Sequence, residues 1–139
     1  MHALILALHE DSGHSDRVAS SLVKSGHTVI ECKNFADAIS VLKNRHVDMI
    51  ISDIHLQNGG NVFDFLRWVK KNPSTMDIPF VMLSVEPSRT AKYVEDGLRT
   101  TARLLGVRKY ILMEKFNSDT FREHIDLLLA ECEEESSAN

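Results

Sequence analysis

The chain has 139 residues, a length that suits one domain with a single sheet buried between two layers of helices. It carries 16 basic and 20 acidic side chains and no local basic patch, so we expect no direct binding to nucleic acid. Two cysteines, Cys32 and Cys132, are too few for a disulfide framework and indicate a cytoplasmic setting, although a single disulfide between them stays open. No stretch approaches the roughly 18 apolar residues that a membrane span needs, so we expect no membrane association.

Short apolar runs alternate with amphipathic stretches along the whole chain. The runs predict strands, and the amphipathic stretches predict one helix after each strand. Because five such units alternate strictly and each crossover returns right-handed, they predict a doubly wound parallel sheet with helices on both faces. In order, the predicted elements are strands over 3–8, 28–32, 47–53, 78–84 and 109–113, and helices over about 16–25, 35–42, 63–69, 88–105 and 118–132.

One buried run, Val47 to Asp53, ends abruptly in a carboxylate. In open α/β sheets, ligands bind beyond the carboxyl ends of the strands, so Asp53 lies where chemistry is expected. The following loop contains Gly59 and Gly60, which suit a turn with unusual backbone angles before the next helix. A single aspartate at a strand end can equally well cap a loop or a helix, so the other strand ends decide its role.

Polar side chains also follow the other central strands. Glu10 and Asp11 follow the first strand, and they either cap the first helix or join Asp53 if the first and third strands are adjacent. Carboxylates held so close repel one another, and a hard cation such as Mg²⁺ relieves the repulsion. Ser84 ends the fourth strand and Lys115 follows the fifth, offering a hydroxyl and an ammonium group to phosphoryl oxygens. The ordered set indicates a phosphoryl-transfer site.

With these residues in place, the sequence resembles a response-regulator receiver domain, the phosphoacceptor module of two-component signalling. The resemblance runs from Ala3 to about Cys132 and implies a flavodoxin-like α/β fold with strand order 2-1-3-4-5. The matched part corresponds to a single domain over 1–132. The acidic and small residues over 133–139 predict a flexible tail, and the fourth-helix region is longer than that of a typical receiver.

The resemblance also implies roles for individual residues. They concern phosphoryl transfer, Mg²⁺ binding and a conformational switch that follows phosphorylation. The implied set is Asp53 as phosphoacceptor, Ser84 and Lys115 at the phosphoryl group, Glu10, Asp11, Asp53 and the backbone carbonyl of His55 as Mg²⁺ ligands, and Ser84 with Tyr110 as the switch.

Among several departures from the pattern of the family, two concern the acidic pair and the lysine. Counting back from Gly26 without gaps puts His9 and Glu10 at the acidic pair, and the assignment to Glu10 and Asp11 needs a shift of one residue. Counting from Phe116 puts Glu114 where the family has its lysine. Both departures bear on whether the chain is phosphorylated.

The function implied is that of a phosphoacceptor. Asp53 would take a phosphoryl group from the phosphohistidine of a sensor histidine kinase or a phosphotransfer protein, and a surface for a downstream protein would change. The chain would catalyse only its own phosphorylation and dephosphorylation, so it is not an enzyme in the usual sense. The resemblance also allows a homodimer through the face of the fourth helix, fifth strand and fifth helix, with Tyr93, Arg99 and Arg103 on the helix.

Two alternatives stay open. A pseudo-receiver would keep the fold as a protein-interaction module that needs no phosphorylation, and His9 and Glu114 favour it. A Mg²⁺-dependent phosphohydrolase or a flavin-binding protein of similar topology is disfavoured, because the loop after Leu8 is acidic and lacks residues that cradle a phosphate. Either a stand-alone protein or a fragment of a larger sensor fits the sequence.

Overall fold

The computed structural model describes residues 2–54, 61–85 and 89–138, the last without the side chains of 89–95 and 137–138. Five strands and five helices alternate along this part of the chain. The elements are β1 (Leu4–Leu8), α1 (Ser12–Lys24), β2 (Thr28–Cys32), α2 (Phe35–Asn44), β3 (Met49–Asp53), α3 (Val62–Lys71), β4 (Phe80–Val85), α4 (Arg89–Leu104), β5 (Lys109–Met113) and α5 (Ser118–Ala138).

The strands form one parallel sheet in the order β2-β1-β3-β4-β5. The predicted fold class and strand order are therefore confirmed. The three central strands are buried nearly throughout, as expected of a parallel sheet covered on both faces. Because all five strands run the same way, their carboxyl ends meet at one edge of the sheet.

Successive strand residues point to opposite faces of the sheet, and each face has its own core. Leu6, Leu8 and Ile50 pack with residues of α2, α3 and α4, including Leu66. On the other face, the alternate residues Ile5, Ala7, Met49 and Ile51 pack with Leu22 of α1 and Phe121 of α5. This alternation decides which strand-end residues share a face.

Side-chain caps define the starts of α1 and α5, and that of α1 lies earlier in the chain than predicted. α1 begins at Ser12, not near Asp16, since the Asp11 side chain accepts a hydrogen bond from the His14 backbone N–H at 2.9 Å. α5 begins at Ser118, as predicted, and the Asn117 Oδ1 before it accepts from the Thr120 backbone N–H at 2.9 Å. A side-chain oxygen in this position satisfies a backbone donor that the helix itself leaves unpaired.

The acidic end of the chain is helical over the described residues, which differs from the predicted flexible tail. α5 continues to Ala138. The Arg108 guanidinium binds Glu135 with two hydrogen bonds, at 3.0 and 2.7 Å, and approaches Glu131 at 3.6 Å. Bidentate pairing of this kind fixes the position of the last turns of α5 against the loop before β5.

Among the helices of the described residues, none combines the length and the apolar character that crossing a bilayer requires.

Candidate functional site

The carboxyl edge of the sheet brings together several of the predicted site residues. Asp53 is the last residue of β3, half-buried, and pairs in register with Leu83 of β4. Leu8, the last residue of β1, pairs with Ser52. The residues that follow β1 therefore lie beside Asp53, as the sequence predicted for adjacent first and third strands.

Asp11 serves as the cap of α1, which confirms the capping role that the sequence left open. The His14 backbone N–H lowers the pKa of the exposed Asp11 carboxyl below its usual range. One of its oxygens is thus already engaged by the helix. Glu10, next to it, is half-buried at the same edge.

His9 was expected at this site only when residues were counted back from Gly26 without gaps. It is 2% exposed, and within the described part of the chain neither Nδ1 nor Nε2 has a hydrogen-bond partner. Burial lowers the pKa of His9, against the opposing field of the Asp53 carboxylate. Burying a polar group without a hydrogen-bond partner costs about 1–3 kcal/mol. A hydrogen-bond acceptor or donor brought to this site would therefore stabilise the His9 imidazole.

His9 and Asp53 lie on the same face of the sheet. Ile5 and Ala7 of β1 pack into the core beneath α1 and α5, and so does Ile51 of β3. Because strand side chains alternate, the next residues of the same parity, His9 and Asp53, continue on that face. Their level in the two strands is the same, since each follows one member of the pair Leu8 and Ser52.

The predicted switch residues occupy the opposite face. Ser84 is fully buried and pairs with Leu112, and Tyr110 pairs with Met82 two positions earlier. By the same alternation, Ser84 and Tyr110 both face the layer that contains α4. The Arg99 guanidinium of α4 lies over the Tyr110 ring, 5.3 Å from its centroid, a cation–π contact.

Lys115 is not joined to Asp53 in this structure. It lies two residues beyond β5, exposed, and makes no hydrogen bond or ion pair with the residues that the structure describes. Glu114, before it, is exposed as well. His55, predicted to offer its carbonyl to the metal, lies outside the described residues.

The oxygen donors at this edge fit Mg²⁺ in number. Searched over the described residues alone, no three His, Cys, Asp or Glu side chains form a group that could hold a metal. Mg²⁺ needs fewer, because it keeps several waters and is usually bound by one or two carboxylates together with a phosphate. Glu10 and Asp53 are carboxylates of that kind, whereas the imidazole of His9 offers no oxygen.

Comparisons with known proteins agree with this fold. The chain is 24% identical to Protein PilH of Pseudomonas aeruginosa over 128 residues, 92% of this chain and 98% of that protein. It is 30% identical over 93 residues to the phosphate regulon transcriptional regulatory protein PhoB of the same organism, 67% of this chain and 38% of PhoB. No family model matches the chain.

Among solved structures, the chemotaxis response regulator CheY4 of Vibrio cholerae matches with a TM-score of 0.75 at 19% identity, covering 91% of this chain and 98% of that one. The fold and the strand-end residues define a protein of the flavodoxin-like class with a polar carboxyl edge. Within that class, the chain resembles receiver domains of the response-regulator type.

Proposed function

We propose that this receiver domain accepts a phosphoryl group on Asp53 from the phosphohistidine of a sensor histidine kinase or a phosphotransfer protein. The observation that carries the proposal is the position of Asp53, the last residue of β3, at the edge where β1, β3 and β4 end. A carboxylate there is half-buried, so a partner can reach it while the sheet holds it in place.

The chemistry is an in-line displacement at phosphorus. An oxygen of Asp53 forms the new P–O bond, the P–N bond of the donor breaks, and the electron pair stays with the donor imidazole. The product is an acyl phosphate. Positioning and neutralisation of the phosphoryl charge are most of what such a transfer requires.

Mg²⁺ is the cofactor we propose, held by Glu10 and Asp53. When bound, it would neutralise charge on the phosphoryl oxygens. Lys115 is proposed as a second source of positive charge, because its loop follows β5 at the same edge and no described contact holds its side chain elsewhere.

Phosphorylation is proposed to act on the opposite face through Ser84 and Tyr110. The new group adds about −1.5 to −2 charge at pH 7, and the buried Ser84 hydroxyl, which follows the β4 residue paired with Asp53, would have to turn across the sheet edge to donate to it. Ser84 shares a face with Tyr110, which Arg99 of α4 covers. Movement of the hydroxyl would therefore change the packing beneath α4.

The face of α4, β5 and α5 is the surface that we propose for a downstream protein, and for a second copy of the chain. Its described outer side chains include Arg103, exposed, Leu104, 83% exposed, and Leu112, 37% exposed. Exposed apolar groups beside a cation suit a protein partner.

The test is modification by a small phosphodonor. Acetyl phosphate, with and without Mg²⁺, is added to the wild type, Asp53→Asn and Asp16→Asn, and the gain of a phosphoryl group is read by intact mass. Asp16 is an exposed carboxylate of α1 and controls for nonspecific modification. We expect Mg²⁺-dependent modification of the wild type and Asp16→Asn only. Equal modification of Asp53→Asn would rule the proposal out.

A further inference from the structure

His9 presents hydrogen-bonding capacity that the described residues leave unused. Its ring is 2% exposed, and neither ring nitrogen has a partner among them. An imidazole carries at least one N–H in every protonation state. The fold therefore buries a hydrogen-bond donor beside Asp53, on the same face and at the same level of the sheet.

The backbone holds this donor in place. The His9 backbone N–H donates to the Cys32 carbonyl oxygen at 3.1 Å, so the residue extends the pairing of β1 and β2 beyond the last strand residue. The charged and titratable groups that act on the ring are Asp53, His14, Asp11 and Glu31. Three of these four are carboxylates, and an imidazole among them adds no further negative charge where a phosphoryl group would arrive.

A phosphoryl group on Asp53 would supply what the site lacks. It carries three strong acceptor oxygens, and an N–H donor already fixed in a water-poor position needs little reorganisation to bind one of them. Lys115, by contrast, is exposed on a loop, and binding would have to order its long side chain.

We propose that His9 is a phosphoryl-binding residue, whose ring N–H donates a hydrogen bond to an oxygen of the group on Asp53. The inference rests on the proposed function and adds a residue to it. His9 does not take part in bond making. It stabilises the acyl phosphate by positioning one of its oxygens, and it acts as a donor at any pH at which the chain is folded.

The experiment compares His9→Phe, which removes the donor and keeps a ring, with His9→Gln, which keeps an N–H donor. His124→Phe is the matched control, a half-buried histidine of α5 that is not among the groups acting on the His9 ring. The measurements are the affinity for beryllofluoride, which mimics the phosphoryl group, and the lifetime of the acyl phosphate once the phosphodonor is removed.

We expect His9→Phe to weaken beryllofluoride binding and shorten the lifetime by about tenfold or more. His9→Gln should recover most of the loss, and His124→Phe should behave as the wild type. Wild-type values in His9→Phe, or no recovery in His9→Gln, would overturn the role of His9 while leaving Asp53 as acceptor. No modification of the wild type under any condition would instead overturn the proposed function.

The wild-type protein offers a test that needs no substitution. The ¹⁵N resonances of the His9 ring should shift when beryllofluoride is added, because a ring nitrogen without a partner gains one. Unchanged resonances in a protein that binds beryllofluoride would overturn the inference even if the His9 variants fail to fold.

Discussion

His9 and Asp53 end adjacent parallel strands at the same level and on the same face of the sheet, one as a buried imidazole and the other as a half-buried carboxylate. In the pattern that the sequence resembles, gap-free counting would place an acid at position 9. Glu10 and Asp53 then remain as the carboxylates suited to a cation, with Asp11 engaged in capping α1. The charge around Asp53 is therefore less negative than it would be if three carboxylates were free to bind a cation there.

Removing the cap of α5 should destabilise the fold. In Asn117→Ala, the Thr120 backbone N–H loses the side-chain acceptor that it binds at 2.9 Å. The free energy of unfolding, measured by urea denaturation, should fall by about 1 kcal/mol, the usual cost of losing a helix N-cap. Asn117→Asp keeps an acceptor oxygen and should unfold like the wild type. An equal loss in both variants would show that the cap is not the cause.

Removing the buried contact between His27 and α5 should lower the free energy of unfolding more than removing the cap of α5 does. His27 Nδ1 accepts from the Ala3 backbone N–H at 3.2 Å, so its Nε2–H donates to Asp126 Oδ1 at 3.0 Å. His27→Phe keeps a ring but leaves the Ala3 N–H unpaired, and the free energy of unfolding should fall by about 1–3 kcal/mol. The exposed His46→Phe is the control, and a similar loss there would contradict this account.

The ion pairs of Arg108 should hold the last turns of α5. In Arg108→Gln, the amide exchange of residues 131–138, followed by NMR, should quicken, because Glu131 and Glu135 lose their cation. Exposed pairs contribute little to overall stability, so the midpoint of unfolding should barely move. Arg67→Gln, which breaks a pair within α3, should leave this exchange unchanged.

The same pairs should make the end of α5 sensitive to acid. The hydrogen bond from Arg108 lowers the pKa of Glu135 in the folded chain. A depressed carboxyl pKa contributes stability above the ordinary carboxyl range, and this is lost as the pH falls through the folded value. The protection of the amides near Glu135, measured relative to their intrinsic exchange rates, should therefore fall in that acidic window in the wild type. A similar fall in Arg108→Gln would assign the effect to another group.

The stack of Arg99 on Tyr110 should influence the switch face. Arg99→Met keeps a long apolar stem but removes the cation that lies 5.3 Å from the ring centroid. Such contacts contribute about 0.5–2 kcal/mol, and the Tyr110 ring resonances should shift. Arg103→Met, an exposed change on the same helix, should leave them in place. Identical spectra for all three proteins would show that the stack is not formed in solution.

The chain's alternation of apolar runs and amphipathic stretches was sufficient to predict the architecture. The strand bounds of β2 and β5 agree with the prediction, and so does the strand order. Asp53 was placed correctly because an apolar run that stops at a carboxylate marks a strand end. The two-residue repeat of strands and the three- to four-residue repeat of helices are local patterns, so they can be recognised in a single sequence.

Tertiary structure alone decided how the polar side chains are used. Whether Asp11 caps a helix, whether His9 is buried and whether Arg108 reaches Glu135 depend on which elements meet after the crossovers. His27 and Asp126 are separated by 99 positions, and no local pattern links them. A polar group's role follows from its burial and its partners, and both are set only when the helices pack on the two faces of the sheet.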